Sequence, residues 1–168
     1  MEPNEIQIGL AAAVEEVLET MCFTSVLSSG EGAAPASIEG TASAGCEATV
    51  PDAATPTCTA ALRFKGDPSG GFRVSVPRSL ARAVGAGFLG CEEMEVSDSQ
   101  AEEVVCELAN MICGTVLSRL ESEATFQITH PELVPRERGA GFEDAGIQRW
   151  FDLGDGILTV SLELQPTL

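Results

Sequence analysis

The chain has 168 residues, of which 44% are apolar and 21% charged, a composition that suits one compact domain with its own core. The chain contains nine Lys and Arg and 26 Asp and Glu, which gives a formal net charge of −17. It has one Trp and no Tyr. This balance argues against nucleic acid and anionic membrane surfaces as partners, because both recruit clustered cations.

The sequence at the start of the chain indicates a helix rather than a signal peptide. It carries Glu2 and Glu5 without a basic region, and apolar residues recur at helical spacing through 6–23. No stretch of the sequence reaches the 18 or so apolar residues of a membrane span. A cytoplasmic location, away from any membrane, is therefore predicted.

The remainder of the first half reads as loops and strands that lead to a second helix. Residues 57–66 and 72–76 alternate in polarity around a Gly-rich turn at 66–71, which indicates a β-hairpin. The other predicted elements are a loop over 28–37, a β-like region over 37–50, a connection over 51–57, and a middle helix over 77–89 with Pro77 in its first turn.

The second half contains the strongest helical pattern of the chain. It runs from Ser99 to about Leu120, and Ser99 with Glu102 fits a capping box. A strand pattern follows from residue 125. A closing hairpin is predicted around the turn at 154–156.

The two halves also resemble each other. Residues 11–28 match residues 101–118 at seven of eighteen positions without a gap, and a hairpin pattern follows each segment. We predict an α+β fold in a single domain over 1–168, with pseudo-repeats over about 6–76 and 97–166 joined by the middle helix. The alternative is two unrelated amphipathic helices of similar composition.

Cysteine and histidine provide little for catalysis or metal binding. The six cysteines include no C-x-x-C pair, and a chain of this size does not need disulfides. Cys106 and Cys113 lie one heptad apart and are interpreted as small core residues. His130 is the only histidine and is predicted at a loop or strand edge. No metal site is expected.

A narrow polar stripe interrupts the long helix. At 100° per residue, the polar or small side chains fall within a sector of about 80°, namely Glu103, Glu107, Asn110, Gly114, Ser118 and Glu121. A narrow strip of solvent-exposed positions on an otherwise buried helix would by itself explain why Glu and Asn occur there. A glycine in mid-helix costs about 1 kcal/mol relative to alanine, and it makes sense where another molecule approaches closely.

The repeat indicates that this stripe belongs to one half only. In the ungapped register, Val17 and Thr20 take the places of Glu107 and Asn110. The apolar framework of the helix therefore does not require the polar pair, and we expect one site in the chain rather than two.

The stripe resembles the motif of the CheC/CheX/FliY group of bacterial chemotaxis phosphatases, most closely its CheX-like members. Their motif is Glu-x-x-Asn, often followed by Met-Ile-x-Gly, on a long helix. Here it is matched by Glu107, Asn110, Met111, Ile112 and Gly114. The resemblance implies duplicated α-β-β units, with a mostly antiparallel sheet packed against two long helices and a middle helix. It also implies the single-site, CheX-like form, because Val17 and Thr20 replace the pair in the first helix.

The resemblance further implies an enzyme that removes the aspartyl phosphate of a CheY-like response-regulator receiver domain. Glu107 would form a salt bridge with the receiver's lysine, and Asn110 would orient the attacking water. Glu103, Met111 and Gly114 would contact the partner. The receiver would supply Mg²⁺, so no cofactor is expected on this chain. A homodimer is implied as well.

Two features depart from the family pattern, and two other functions stay open. Glu103 occupies a place where Asp or Ser is usual, and Pro131 and Pro135 lie on either side of the usual proline position. One alternative is a module that binds receivers without catalysis. The other is a structural or assembly protein whose stripe is solvated surface.

Overall fold

The computed structural model describes residues 3–34, 56–120, 125–135 and 146–165. Within these ranges the chain forms three α-helices, a short 3-10 helix and seven strands. In chain order they are α1 (Pro3–Met21), β1 (Ser28–Glu31), β2 (Thr57–Lys65), β3 (Ser69–Pro77), α2 (Arg78–Leu89), the 3-10 helix Glu93–Glu95, α3 (Asp98–Leu120), β4 (Gln127–Ile128), β5 (Glu132–Leu133), β6 (Ile147–Asp152) and β7 (Ile157–Gln165).

The strands form one antiparallel sheet in which the two long hairpins meet at the centre. The strand order is β1-β6-β7-β3-β2-β4, and β5 also pairs with β2. The central pair is β3 with β7, where Phe72 lies opposite Leu162. β1 therefore lies at one edge of the sheet, and β4 and β5 lie at the other.

The core lies between one face of the sheet and the helices. Strands β2, β3 and β7 bury alternate residues, so that Leu62, Phe72 and Leu162 point to the same side. Helix α3 packs against β2 and β3 on that side and contacts both α1 and α2. Each large apolar side chain buried here stabilises the fold by about 1.5–3 kcal/mol. The α+β class and the mostly antiparallel sheet are thus confirmed.

Most predicted elements are confirmed, including α1, the β2–β3 hairpin, α2, α3 and the closing β6–β7 hairpin. The loop predicted over 28–37 is wrong for residues 28–31, because these form β1 and pair with β6. Strand β3 begins at Ser69, inside the predicted turn, and Pro77 occupies the N-cap position just before α2 rather than its first turn. Residues 35–37 of the predicted loop, the β-like region over 37–50 and residues 51–55 of the predicted connection lie outside the described residues.

The capping box of α3 lies two residues earlier than predicted. The backbone N–H of Gln100 donates to Ser97 Oγ at 3.1 Å, and the N–H of Ser97 donates to Gln100 Oε1 at 3.0 Å. Ser99 with Glu102 is therefore not the cap. The helix begins at Asp98, and none of the described helices is long and apolar enough to cross a membrane.

The pattern of buried residues supports a different alignment of α1 with α3 from the one that sequence identity gave. Val17 is only 4% exposed, whereas Glu107, its counterpart at a shift of 90, is exposed. A shift of 95 instead places all seven buried positions between Ile6 and Cys22 onto buried positions of α3. In that register Ala12 and Glu15 replace Glu107 and Asn110, so α1 still lacks the pair. The duplication itself stays a prediction.

Candidate functional site

Helix α3 presents the predicted polar stripe at its surface from Glu103 to Ser118, and Glu121 lies outside the described residues. Glu103 and Glu107 are exposed, while Asn110 and Gly114 are partly exposed. The opposite side is buried, and its fully enclosed residues include Leu108, Ala109, Ile112, Cys113 and Val116. The helix is therefore fixed by its apolar side, and its polar side chains are available to another molecule.

One part of the stripe borders a groove of about 440 Å³, which we call the upper groove. Its α3 wall carries the two glutamates and the asparagine of the predicted site. Its complete lining is Ser99, Glu102, Glu103, Cys106, Glu107, Asn110, His130, Pro131 and Leu133. Residues 130–133, which run from the β4–β5 connection into β5, thus form the wall opposite the helix.

Sheet register explains why this second wall faces α3. Leu133 of β5 lies directly opposite Ala60 of β2, and Ala60 is fully buried on the helix side of the sheet. Residues directly opposite each other in an antiparallel pair point to the same face. Leu133 therefore points toward the helix layer, but it lies at the sheet edge and stays 44% exposed.

The C-terminal part of the stripe borders a second, more open groove of about 620 Å³, the lower groove. It is lined by Glu16, Asn110, Met111, Gly114, Thr115, Ser118, Arg119 and Ile128. Glu16 of α1 and Arg119 of α3 form an ion pair there. Asn110 lines both grooves, so its amide lies where the two meet.

The charges of the upper groove are only partly compensated by other described residues. Arg78 pairs with Glu102 at 3.1 Å. Glu103, Glu107 and Asn110 make no side-chain hydrogen bond or ion pair with another residue of the described ranges. The pKa of the Cys106 thiol is raised, first by burial and then by the nearby carboxylates of Glu102 and Glu103. This surface is therefore suited to a cation.

Comparison with known proteins identifies the family. The family model described as chemotaxis phosphatase CheX matches residues 58–143, just over half of the chain, and this match includes all of α3. The chain belongs to the CheX family. Among curated proteins, none matches it with significance.

Solved structures of CheX proteins and of FliY share the fold. A CheX–CheY–BeF₃–Mg²⁺ complex from Borrelia burgdorferi aligns with a TM-score of 0.68 and 18% identity over 95% of this chain and 97% of that chain. CheX from Desulfovibrio desulfuricans aligns at 0.64 with 20% identity over 96% and 99% of the two chains. FliY from Thermotoga maritima aligns at 0.56 with 10% identity over 97% and 91%.

The CheX-family fold brings the five predicted site residues onto one continuous surface. Glu103, Glu107 and Asn110 line the upper groove, and Asn110, Met111 and Gly114 line the lower one. No group of three or more His, Cys, Asp or Glu side chains in the described ranges is arranged to hold a metal ion. Asn110 offers an amide NH₂ with two N–H donors and a carbonyl acceptor, beside two carboxylates that have no partner in the described part of the chain. Such groups position and pair with other groups rather than attack them.

The side chains that face α3 across the two grooves were not predicted as site residues from the sequence. They are Glu16, Ile128, His130, Pro131 and Leu133. His130 is exposed beside a strand edge, as predicted. No local pattern marks the group, because β4 and β5 have only two residues each and their placement depends on pairing with β2.

Proposed function

We propose that this chain hydrolyses the aspartyl phosphate of a CheY-like receiver domain. The observation that carries the proposal is the Glu-x-x-Asn pair, exposed on a rigid helix of a chain from the CheX family, with Asn110 where two grooves meet. The receiver would bring its own Mg²⁺ and lysine. This chain would contribute docking and the placement of one water molecule.

Glu107 would form a salt bridge with the receiver's lysine. Its carboxylate is exposed and has no hydrogen-bond or ion-pair partner among the described residues. Docking would exclude water around the pair and strengthen it. The lysine would thereby be held next to the phosphoryl group.

Asn110 would orient the attacking water. Phosphoryl transfer depends more on positioning and charge neutralisation than on covalent participation of the enzyme. An amide can accept a hydrogen bond from the water and donate another to a neighbouring oxygen. Asn110 projects from the middle of a 23-residue helix and is partly buried. This limits the side-chain freedom that would be lost when the water is held in line.

Glu103, Met111 and Gly114 would contact the receiver on either side of the pair. The open backbone at Gly114 supports close approach along the lower groove, and Glu103 extends the acidic edge of the upper groove. A homodimer is proposed from the family resemblance, and light scattering at micromolar concentration would test it.

The acidity around Glu103 favours one second candidate, a module that binds receivers without hydrolysing the phosphate. Glu103 and Glu107 are one turn apart, and Glu103 replaces the usual Asp or Ser of the family motif. A change in the position of the negative charge at residue 103 would affect binding of the receiver more than the rate of hydrolysis. Only turnover separates the two functions.

The experiment is to follow the loss of aspartyl phosphate from a panel of receiver domains of the source organism. Wild type is compared with Asn110→Ala and with Asn4→Ala, which changes the only other asparagine, an exposed residue at the start of α1. We expect Asn110→Ala to lower kcat about 100-fold or more with little loss of binding, and Asn4→Ala to match wild type. Binding without acceleration by wild type would establish the docking module instead.

A further inference from the structure

The wall opposite α3 has no role in the proposed chemistry, yet it is built as a contact surface. It consists of His130, Pro131 and Leu133. Leu133 is a large apolar side chain, 44% exposed, that points toward the helix layer. Pro131 is buried and supports the wall from within.

Backbone pairing on both sides makes this wall rigid. The N–H of Thr129 donates to Arg63 O at 2.8 Å, and the N–H of Arg63 donates to Thr129 Oγ1 at 2.9 Å. Beyond the wall, the N–H of Val134 donates to Thr59 O at 2.8 Å. A contact residue held at both ends binds with little ordering cost.

We infer that this wall is a second docking surface for the receiver and that Leu133 determines which receivers bind. The inference rests on the proposed function. In the complex, Leu133 covers an apolar side chain of the receiver that neighbours the lysine paired with Glu107. Leu133 is a specificity residue rather than a catalytic one, because it touches the partner and not the phosphoryl group.

The two walls together define the chemistry of the occupant. The α3 wall offers the carboxylates of Glu103 and Glu107, which have no hydrogen-bond or ion-pair partner among the described residues, and the facing wall offers Leu133 and Pro131. A groove of about 440 Å³ has room for a few side chains. It fits a receiver segment that carries a cationic side chain next to an apolar one. An acidic segment would be repelled at this place.

The test compares Leu133→Ser with Leu27→Ser in steady-state dephosphorylation. Leu27 is 68% exposed, and its N–H donates to Asp152 O beside the opposite edge of the sheet. We expect Leu133→Ser to raise KM about five- to tenfold with kcat unchanged, since part of a leucine's burial energy is lost. Leu27→Ser and the conservative Leu133→Met should stay within about twofold of wild type. Thermal unfolding confirms that each variant is folded.

The outcomes separate this inference from the proposed function. Equal KM for Leu133→Ser and wild type would overturn the inference and leave the phosphatase standing. If wild type accelerates no receiver, the same variants are compared in binding to receivers activated with beryllofluoride and Mg²⁺. Selective weakening by Leu133→Ser would then support the wall as a docking surface without catalysis. Equal binding by all variants, or no binding by any, would overturn the inference.

Discussion

Apart from the helix's own backbone, the Cδ1 atom of Ile128 is the described atom nearest to where a Cβ on Gly114 would lie, at 4.0 Å. A methyl group therefore fits at this position of α3 without a clash. Other glycines differ, since a Cβ on Gly87 would lie 2.0 Å from Cys22 O. Packing within the described chain does not require a glycine at 114, although mid-helix glycine is unfavourable.

Gly114→Ala is predicted to stabilise the protein and to weaken receiver docking. Replacing a mid-helix glycine gains up to about 1 kcal/mol, which corresponds to a rise in Tm of about 2–4 °C for a domain of this size. The added methyl narrows the lower groove, and a crowded contact raises KM by about tenfold. Calorimetry and dephosphorylation kinetics measure the two effects. Gly87→Ala is the control and should lower Tm. If Gly114→Ala binds the receiver as well as wild type does, the receiver does not approach the helix closely at residue 114.

Glu107→Gln is predicted to weaken binding and to flatten its dependence on salt. Removing one partner of a desolvated ion pair between two proteins lowers the binding free energy by about 2 kcal/mol or more. Salt screens the Coulomb attraction of such a pair, so binding without the pair depends less on salt. Titration of receiver at increasing ionic strength measures both. Glu163→Gln makes the same charge change on β7, next to the buried Leu162 and hence on the face away from the helices. If both variants show the same salt dependence, Glu107 does not meet a cation.

Ser97→Ala is predicted to destabilise the protein by about 1 kcal/mol through loss of the capping box of α3. Ser99→Ala should change stability by less than about 0.5 kcal/mol, because Ser99 makes no side-chain hydrogen bond with a described residue. Urea unfolding measures the free energy of unfolding of each variant, and the two values can be compared directly if the m-values are equal. A larger loss for Ser99→Ala would place the cap where the sequence pattern first suggested it.

Bound receiver is predicted to slow alkylation of Cys106 and not of Cys91. Both thiols are partly exposed, but only Cys106 lines the upper groove. Burial and the Glu102 and Glu103 carboxylates raise the pKa of Cys106, so its thiolate fraction at neutral pH is lower than that of an ordinary thiol, and its labelling rate increases only at more alkaline pH. Cys113 is an internal reference, because burial raises its pKa to about 12 and folded protein should protect it. Peptide mass spectrometry after timed labelling gives each rate. Equal protection of Cys106 and Cys91 would contradict docking in the groove.

The helix that carries the site could be predicted because its information is local. Periodicity alone placed Glu103, Glu107 and Asn110 on one side, and the structure exposes that side. The cap of α3 was misplaced because two overlapping patterns, from Ser97 to Gln100 and from Ser99 to Glu102, are equally good locally. The hydrogen bonds select the first.

The strands at the sheet edges could not be predicted, because they form through pairing with distant residues. β1 has the sequence Ser-Ser-Gly-Glu, without apolar alternation, and it exists through its ladder with β6. Gly30 is required there, since a Cβ would lie 2.6 Å from Cζ2 of Trp150. The second wall of the upper groove was missed for the same reason, because Leu133 faces the helix only through its register with Ala60.

The order of the strands has a consequence for how the protein is made. The strand after α1 joins the hairpin of the C-terminal half, and the strands after α3 join the hairpin of the N-terminal half, so each half completes the other. The central ladder joins Ser69 to Gln165 and Ser75 to Thr159, residues far apart along the chain. Such non-local pairing folds slowly, and the ladder cannot close until β7 has left the ribosome. Until then the nascent chain exposes the inner edge of β3, and chaperone contact during synthesis is expected to concentrate there.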